Sequence, residues 1–421
     1  MHKTTFFTAA ILGFYLLTAQ FCIAGSVLDF GATGDGKMND TKAFEKAIQS
    51  GDKNIRIPAG TYKIGPTTLV IPAGVQITGD GNATRLVPAA GTVTLLKLSD
   101  DCSLRDLCIE GDKVKKGRSD DPGLIHIEKA DEVDIENVKF TNTDRVCIRT
   151  HYANDINIRN CDFRNIGMAI HLRYTCRAKV LGNTVIDASL HGIEFWGNLR
   201  PNNVWSKTKC NDLIFANNYV KNGGAGAIWG AGAKRVIMSG NIIDGAKDVG
   251  LDPEYCEDVV ITGNITRNCY NAGIALFFAC KRVTITGNTV YNNSVPKNKD
   301  ESALFTMAQR KLTKEEKKLP WYVRSGIWLV PPNRESYPLD DGHEDITIVG
   351  NTIYTVGDDN IPRRDIWIGA ESKNVRIESN TLSGHGVYYG GHHAVHPQTL
   401  IKLGPQPLMI DNMPTPDKPK F

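Results

Sequence analysis

"VIMSGN" at residues 236–241 and "VVITGN" at residues 259–264 are two copies of one pattern, a β-rich run closed by a small residue and an asparagine. Asn218, Asn241 and Asn264 stand 23 residues apart, and Asn288 follows after 24. Earlier in the chain Asn137, Asn160 and Asn183 keep the same 23-residue step. Later copies, "ITIVGN" to Asn351 and "VRIESN" to Asn380, follow longer insertions. A fixed period of this size marks a repeat architecture, in which each unit buries its apolar face against its neighbours.

A second strand lies about ten residues beyond most of these asparagines: "AIHLRY", "GIEFWG", "AIWGAG", "GLDPEY", "GIALFF", "GIWLVP", "DIWIGA". The alternation has period two, with Gly and Asn at the bends and no helical period. Such strands fit an all-β fold, a single-stranded right-handed parallel β-helix with successive windings about 4.8 Å apart. Like residues then stack into columns, and the asparagines are expected to form an internal amide ladder at a corner. "NDTKAFEKAIQSG" (residues 39–51) is the exception, a helix capped by Asn39 or Asp40 with Ala43, Phe44 and Ala47 on its apolar face. It is expected to cover the open N-terminal end of the coil, whose strand edges otherwise invite aggregation.

The first residues read as an export leader over 1–24: a basic start at Lys3, an apolar run from Phe6 to Ile23, and small residues at Ala24-Gly25. The β-helix domain is expected over 25–395, with insertions at 198–209 and 291–324, and an extended tail over 396–421. With Lys3 removed, 48 of the 49 basic side chains face 46 acidic ones, so nothing in the net charge favours nucleic acid. The expected location is secreted or periplasmic, with no membrane partner after cleavage. The cysteines lack metal-type spacing and read mostly as buried small apolar residues, Cys256 and Cys280 being the one candidate disulfide.

"LDFGATGDGKMNDTKAFEKAI" (28–48), "IRIPAGTYKIG" (55–65) and "VQITGDGNATRLVPA" (75–89) together resemble the opening of the pectate-lyase-like superfamily. That group contains polygalacturonases, rhamnogalacturonases, polysaccharide lyases, uronate epimerases and phage tailspikes. The resemblance is close over residues 27–90 and rests on the repeat pattern beyond. It implies a β-helix and a glycan ligand without fixing the reaction.

Aligned on the repeat, Ile148, Ile170, Ile193, Ile228, Leu251, Ile274, Ile327 and Ile366 point inward. The residues after them point outward: Arg149, His171, Glu194, Trp229, Asp252, Ala275, Trp328 and Trp367. Two positions further lies a second column: His151, Arg173, Trp196, Ala231, Glu254, Phe277, Val330 and Gly369. Cations at one end, carboxylates in the middle and aromatic rings throughout suit a polysaccharide groove, since rings stack on sugars while guanidinium groups and carboxylates bond hydroxyls and uronates. Arg149, His151, Trp196, Trp229, Phe277, Trp328 and Trp367 are the expected substrate contacts.

Asp252, Glu254, Glu194, His171 and Arg173 are the expected catalytic residues. Asp252 and Glu254, two apart on one strand, have Cα atoms about 6.5–7 Å apart, within range for a carboxylate pair of an inverting hydrolase. Glu254 is cast as acid and Asp252 as base, with Glu194 in reserve. Elimination is the alternative: Arg149, His151, His171 and Arg173 neutralise a uronate and take its proton, with Ca²⁺ the possible cofactor on Asp252, Glu254 and Glu194. Uronate epimerisation shares that proton abstraction, and "GLDPEY" is similar to the Gly-x-Asp-Pro-His segment of mannuronan epimerases at Asp252, departing at Glu254. A non-catalytic glycan-binding β-helix is the third reading. The Gly-His-Gly at His385, the Asn142-Thr143-Asp144 triplet and "HHAVH" (392–396) lack the companions that would make them polygalacturonase or metal motifs. In the second insertion Thr313 and Glu316 make a capping box, and Trp321, Tyr322 and Arg324 are a candidate lid.

Overall fold

The computed structural model describes residues 25–111, 121–197, 210–293, 325–330, 332, 341–354, 364–369, 371–383, 386–389, 408–410 and 413–414. The leader, the 198–209 insertion, Trp321, Tyr322, Arg324, His385 and His392–His396 lie outside the described residues. Strands pair in parallel with their counterparts in the next winding, in three series. One runs Val236, Val259, Val283, Ile346, Val375. The next, just past the asparagines, runs Val220, Ile243, Thr266, Val290, Ile353, Leu382. The last runs Ile148, Ile170, Ile193, Ile228, Leu251, Ile274, Ile327, Ile366, as the repeat alignment predicts. All eight of these are fully buried and belong to one continuous core. The middle series escapes a reading by pattern because its later strands shrink to as few as two or three residues, as in Ile265–Arg267 and Thr381–Leu382. Within the stretch expected to be a tail, Leu408–Ile410 and Met413–Pro414 extend two of the series.

The amide ladder forms from Asn183 onward. The side-chain oxygen of Asn264 accepts from the main-chain N–H and the amide of Asn241 at 2.8 and 2.9 Å, and its own amide donates to Asn288 and to the Met238 carbonyl at 2.9 Å. Asn218, Asn288, Asn351 and Asn380 continue it. Asn137 and Asn160 do not join it. They are exposed and left-handed, φ 52° and 55°, one position before the ladder. That position is held later by Gly240, Gly263 and Gly287 at φ 61–64°, residues suited to a bend that a Cβ disfavours. In the winding of Asn160 the ladder place belongs to Cys161, whose N–H donates to Asn183 Oδ1 at 2.9 Å.

The helix Thr41–Gln49 buries Ala43, Phe44 and Ala47, with Phe44 edge-on to Tyr62 at 5.5 Å. Asn39 supplies the N-terminal bond, Oδ1 accepting from Thr41 N–H at 3.0 Å, while Asp40 instead accepts from Thr33 N–H at 2.7 Å. The nine described cysteines are unbridged, and eight are buried. The expected Cys256–Cys280 disulfide is absent: each thiol donates to a main-chain carbonyl, of Glu254 at 3.1 Å and Pro253 at 3.3 Å.

His343 is buried, its Nδ1 accepting from Cys280 N–H at 3.2 Å and its Nε2 2.9 Å from the Val330 carbonyl, a fit for the neutral ring protonated at Nε2. Burial lowers its pKa to about 4. A depressed histidine stabilises the fold fully above its unfolded value and loses that contribution as pH falls toward the folded one. Between about pH 7 and pH 5 the expected loss is about 2 kcal/mol. Urea titrations of the parent and His343→Asn should show this slope in the parent alone.

Candidate functional site

The third series carries both outward columns in the predicted register. Arg149, His171, Glu194, Trp229 and Asp252 are consecutive partners, as are His151, Arg173, Trp196, Ala231 and Glu254. An isolated bridge sets Phe277 beside Glu254, and Trp328 and Trp367 continue the first column beyond Ala275. The expectation of an open strip is corrected by burial. Asp252 and Glu194 are 1% exposed, His171 3%, Arg149, Glu254 and Phe277 7%, and Trp229 8%. Trp196, Trp367, His151 and Arg173 are half-buried. Large rings on neighbouring windings cover one another: Trp196 and Trp229 stack at 5.7 Å, and His191 lies on Trp229 at 4.6 Å.

The proline in "GLDPEY" shapes the acid strand Val249–Glu254. It faces inward opposite Gly230, at a position where a Cβ would meet the Phe195 ring at 2.2 Å. On its other side the paired register with Ala272–Leu276 stops at Leu251–Ile274 and returns only at the Glu254–Phe277 bridge. A residue without N–H interrupts the ladder between the two acids. Asp252 Oδ1 is buried with no hydrogen-bond partner. Desolvation first, then the charges of Glu254 and Asp248, push the Asp252 carboxyl well above the usual carboxylate range. Glu254 Oε1 accepts from Trp229 Nε1–H at 2.9 Å.

Glu194 is not part of that pair. The Trp229 winding stands between Glu194 and Asp252, and Glu194 Oε1 lies 3.4 Å from His171 Nε2 as a separate buried dyad. Among the described residues no three His, Cys, Asp or Glu side chains gather to hold a metal ion, so the Ca²⁺ arrangement on Asp252, Glu254 and Glu194 does not fit.

The ends of the strip differ. Toward the C-terminus Phe277 and Trp328 pack with Val249, Ala272, Ala275 and Val330 in a second apolar cluster outside the coil, Trp367 lying against it. Trp328 is wholly buried there, so the expected open sugar contact is a packing residue. Toward the N-terminus Arg149 bonds the Asp121 carbonyl through its guanidinium. Asp121 itself is a buried clip, holding Arg145 at 2.7 Å and the N–H groups of Gly123 and Val146 at 2.9 and 2.8 Å. Sequence reasoning missed His191, which stacks on Trp229, and Asp248, whose charge acts on Asp252 from outside the two columns. Asp248, four residues before Asp252, carried the one legible signal.

Residues 106–206 and 200–313 match the right handed beta helix region. Over that stretch the chain is a right-handed β-helix region, in line with the parallel strand series. The tail spike protein of Shigella phage Sf6 is 33% identical over 106 residues, 22% of this chain and 17% of that protein. The curated relatives are thus matched over less than a fifth of their own length. The mannuronan C-5 epimerase A-module of Azotobacter vinelandii superposes on the β-helix at TM-score 0.60 and 16% identity, covering 93% of this chain and all of that one. The α-1,3-glucanase catalytic unit of Streptomyces thermodiastaticus gives 0.61 and 14%, covering 92% and 68%. A surface adhesin of Streptococcus pneumoniae gives 0.62 and 14%, covering 92% and 100%. At these identities the likeness speaks for the fold. No helix among the described residues is long and apolar enough to cross a membrane.

Proposed function

We propose that this β-helix is an exported polysaccharide-processing enzyme that hydrolyses glycosidic bonds at Asp252 and Glu254. The observation that carries the reading is the buried Asp252 carboxyl, without a partner at Oδ1 and with its hold on a proton strengthened by burial beside two other acids. A carboxylic acid kept neutral until it meets a leaving oxygen is what glycoside cleavage requires. Asp252 is therefore the acid and Glu254 the base, the reverse of the roles drawn from sequence. Trp229 orients Glu254 through its indole N–H. Two names among the similar proteins, a mannuronan epimerase and an α-1,3-glucanase, agree with a glycan ligand.

A second reading rests on the His171–Glu194 dyad, an orienting pair suited to proton abstraction in elimination or epimerisation. One assay separates them on a panel of pectin, alginate and α-1,3-glucan. Hydrolysis yields new reducing ends without the ultraviolet absorbance of an unsaturated uronate. Elimination yields both, epimerisation neither, and a binding protein gives affinity without turnover. Trp229→Phe keeps the ring stack and removes the bond to Glu254. Its kcat should fall about tenfold, as loss of one hydrogen bond to a charged group implies. An unchanged kcat removes Trp229 from the mechanism.

A further inference from the structure

Tyr152 and Tyr174 stand just past the second outward column, at the ends of successive site strands, and neither belongs to the acid centre. Tyr152 N–H donates to the Arg173 carbonyl at 3.1 Å and Tyr174 N–H to the Trp196 carbonyl at 2.9 Å. Both are left-handed, φ 54° and 49°, in a corner column that begins at Lys129 and reaches Gly232, Tyr255 and Phe278. Bulky aromatic residues are costly in this conformation, and such strain collects at ligand-holding positions. Here the Tyr152 and Tyr174 rings stack at 5.0 Å and 16°. Tyr152 is 41% exposed, while the matching stack of Tyr255 on Phe278 has Tyr255 buried at 6%.

Charge surrounds the open stack. The Arg173 guanidinium lies 5.3 Å from the Tyr174 ring centre, and the His151 ring lies 4.3 Å from Tyr152. Burial, then Arg173 and Arg149, lowers the pKa of His151, so its ring is neutral at pH 7. Positive charge therefore comes from Arg173 and from exposed Lys129, while the nearby Glu128 is taken by Lys97 at 2.9 Å.

We propose that Tyr152 and Tyr174 form a stacking subsite for an anionic sugar residue, whose acid group is met by Arg173 and Lys129. Three windings, about 14 Å, separate it from Glu254. The subsite selects an extended acidic glycan and rests on the glycan reading of the acid centre.

The test uses the full chain carrying Asp252→Asn, so that binding is read without turnover, with oligogalacturonate and neutral α-1,3-gluco-oligosaccharide as calorimetric probes. Tyr152→Asn and Tyr174→Asn delete the rings while keeping a residue at ease in the left-handed conformation. Each should weaken oligogalacturonate binding about tenfold. Arg173→Gln should erase the preference for the acidic probe and its salt dependence. Unchanged affinity in both tyrosine variants, a surviving acidic preference in Arg173→Gln, or no oligogalacturonate binding would overturn the subsite. Turnover of a neutral glycan with indifferent tyrosines would do so while leaving the carboxylate centre standing. Tyrosine-dependent binding with no turnover by the parent chain would spare the subsite and remove the enzyme.

Discussion

Asp252→Asn should lower kcat by about 10³-fold or more while raising the stability of the fold at neutral pH. The amide has the shape of the protonated carboxyl and cannot release a proton, so the loss is that of a general acid. The pH dependence follows from the direction of its shift. A donor must start protonated, so activity should fall as pH rises through the raised Asp252 value, and residual turnover in Asp252→Asn should lack that alkaline limb. Stability runs with the same sign. A group whose folded pKa is raised contributes most below its unfolded value and loses that contribution as pH climbs through the folded one. At neutral pH the parent therefore carries a burden the amide removes, a trade of stability for activity. Kinetics and urea unfolding on the two proteins check both halves. A variant that is active, or less stable than the parent at neutral pH, contradicts the assignment.

Asn264→Ala should cost about 4 kcal/mol. The substitution takes the acceptor from the Asn241 main-chain N–H and amide, and the donor from the Met238 carbonyl and from Asn288. Asn264, Asn241 and Met238 are fully buried, so the Asn241 N–H loses its acceptor in the core at about 1–3 kcal/mol, on top of the three further bonds that go with the amide. Neighbouring windings share the ladder, so damage at one rung reaches the next. Asn160→Ala, at the exposed bend, should stay within about 1 kcal/mol. Denaturant unfolding of the two variants side by side measures the contrast, and equal losses would refute an internal ladder.

The inward column and both outward columns were readable because parallel strands with period two leave no freedom: once Leu251 faces the core, Asp252 and Glu254 face away. The ladder was readable in its rungs and misplaced in its first two. Asn137 and Asn160 carry the right letter at the right spacing, yet asparagine also serves the left-handed bend one residue earlier. Burial of the outward columns was not readable. Whether Trp328 opens to solvent depends on Phe277, Val249 and Val330 meeting it from other windings, which a single strand's pattern does not encode. The proposed exchange of acid and base roles turns on desolvation and on Asp248, outside the aligned columns, which the strand pattern does not encode. Tyr152 and Tyr174 went unnoticed because only the fold reveals their backbone conformation.

The most direct test is a carbon-13 NMR titration of side-chain carboxyls in the full chain, with Asp252→Asn supplying the assignment. The expected result is one carboxyl that titrates well above the ordinary carboxylate range, disappears in Asp252→Asn, and moves toward that range when Glu254→Gln removes the neighbouring charge. An Asp252 that ionises with the exposed aspartates would contradict the account, because no proton would then be held for the glycosidic oxygen.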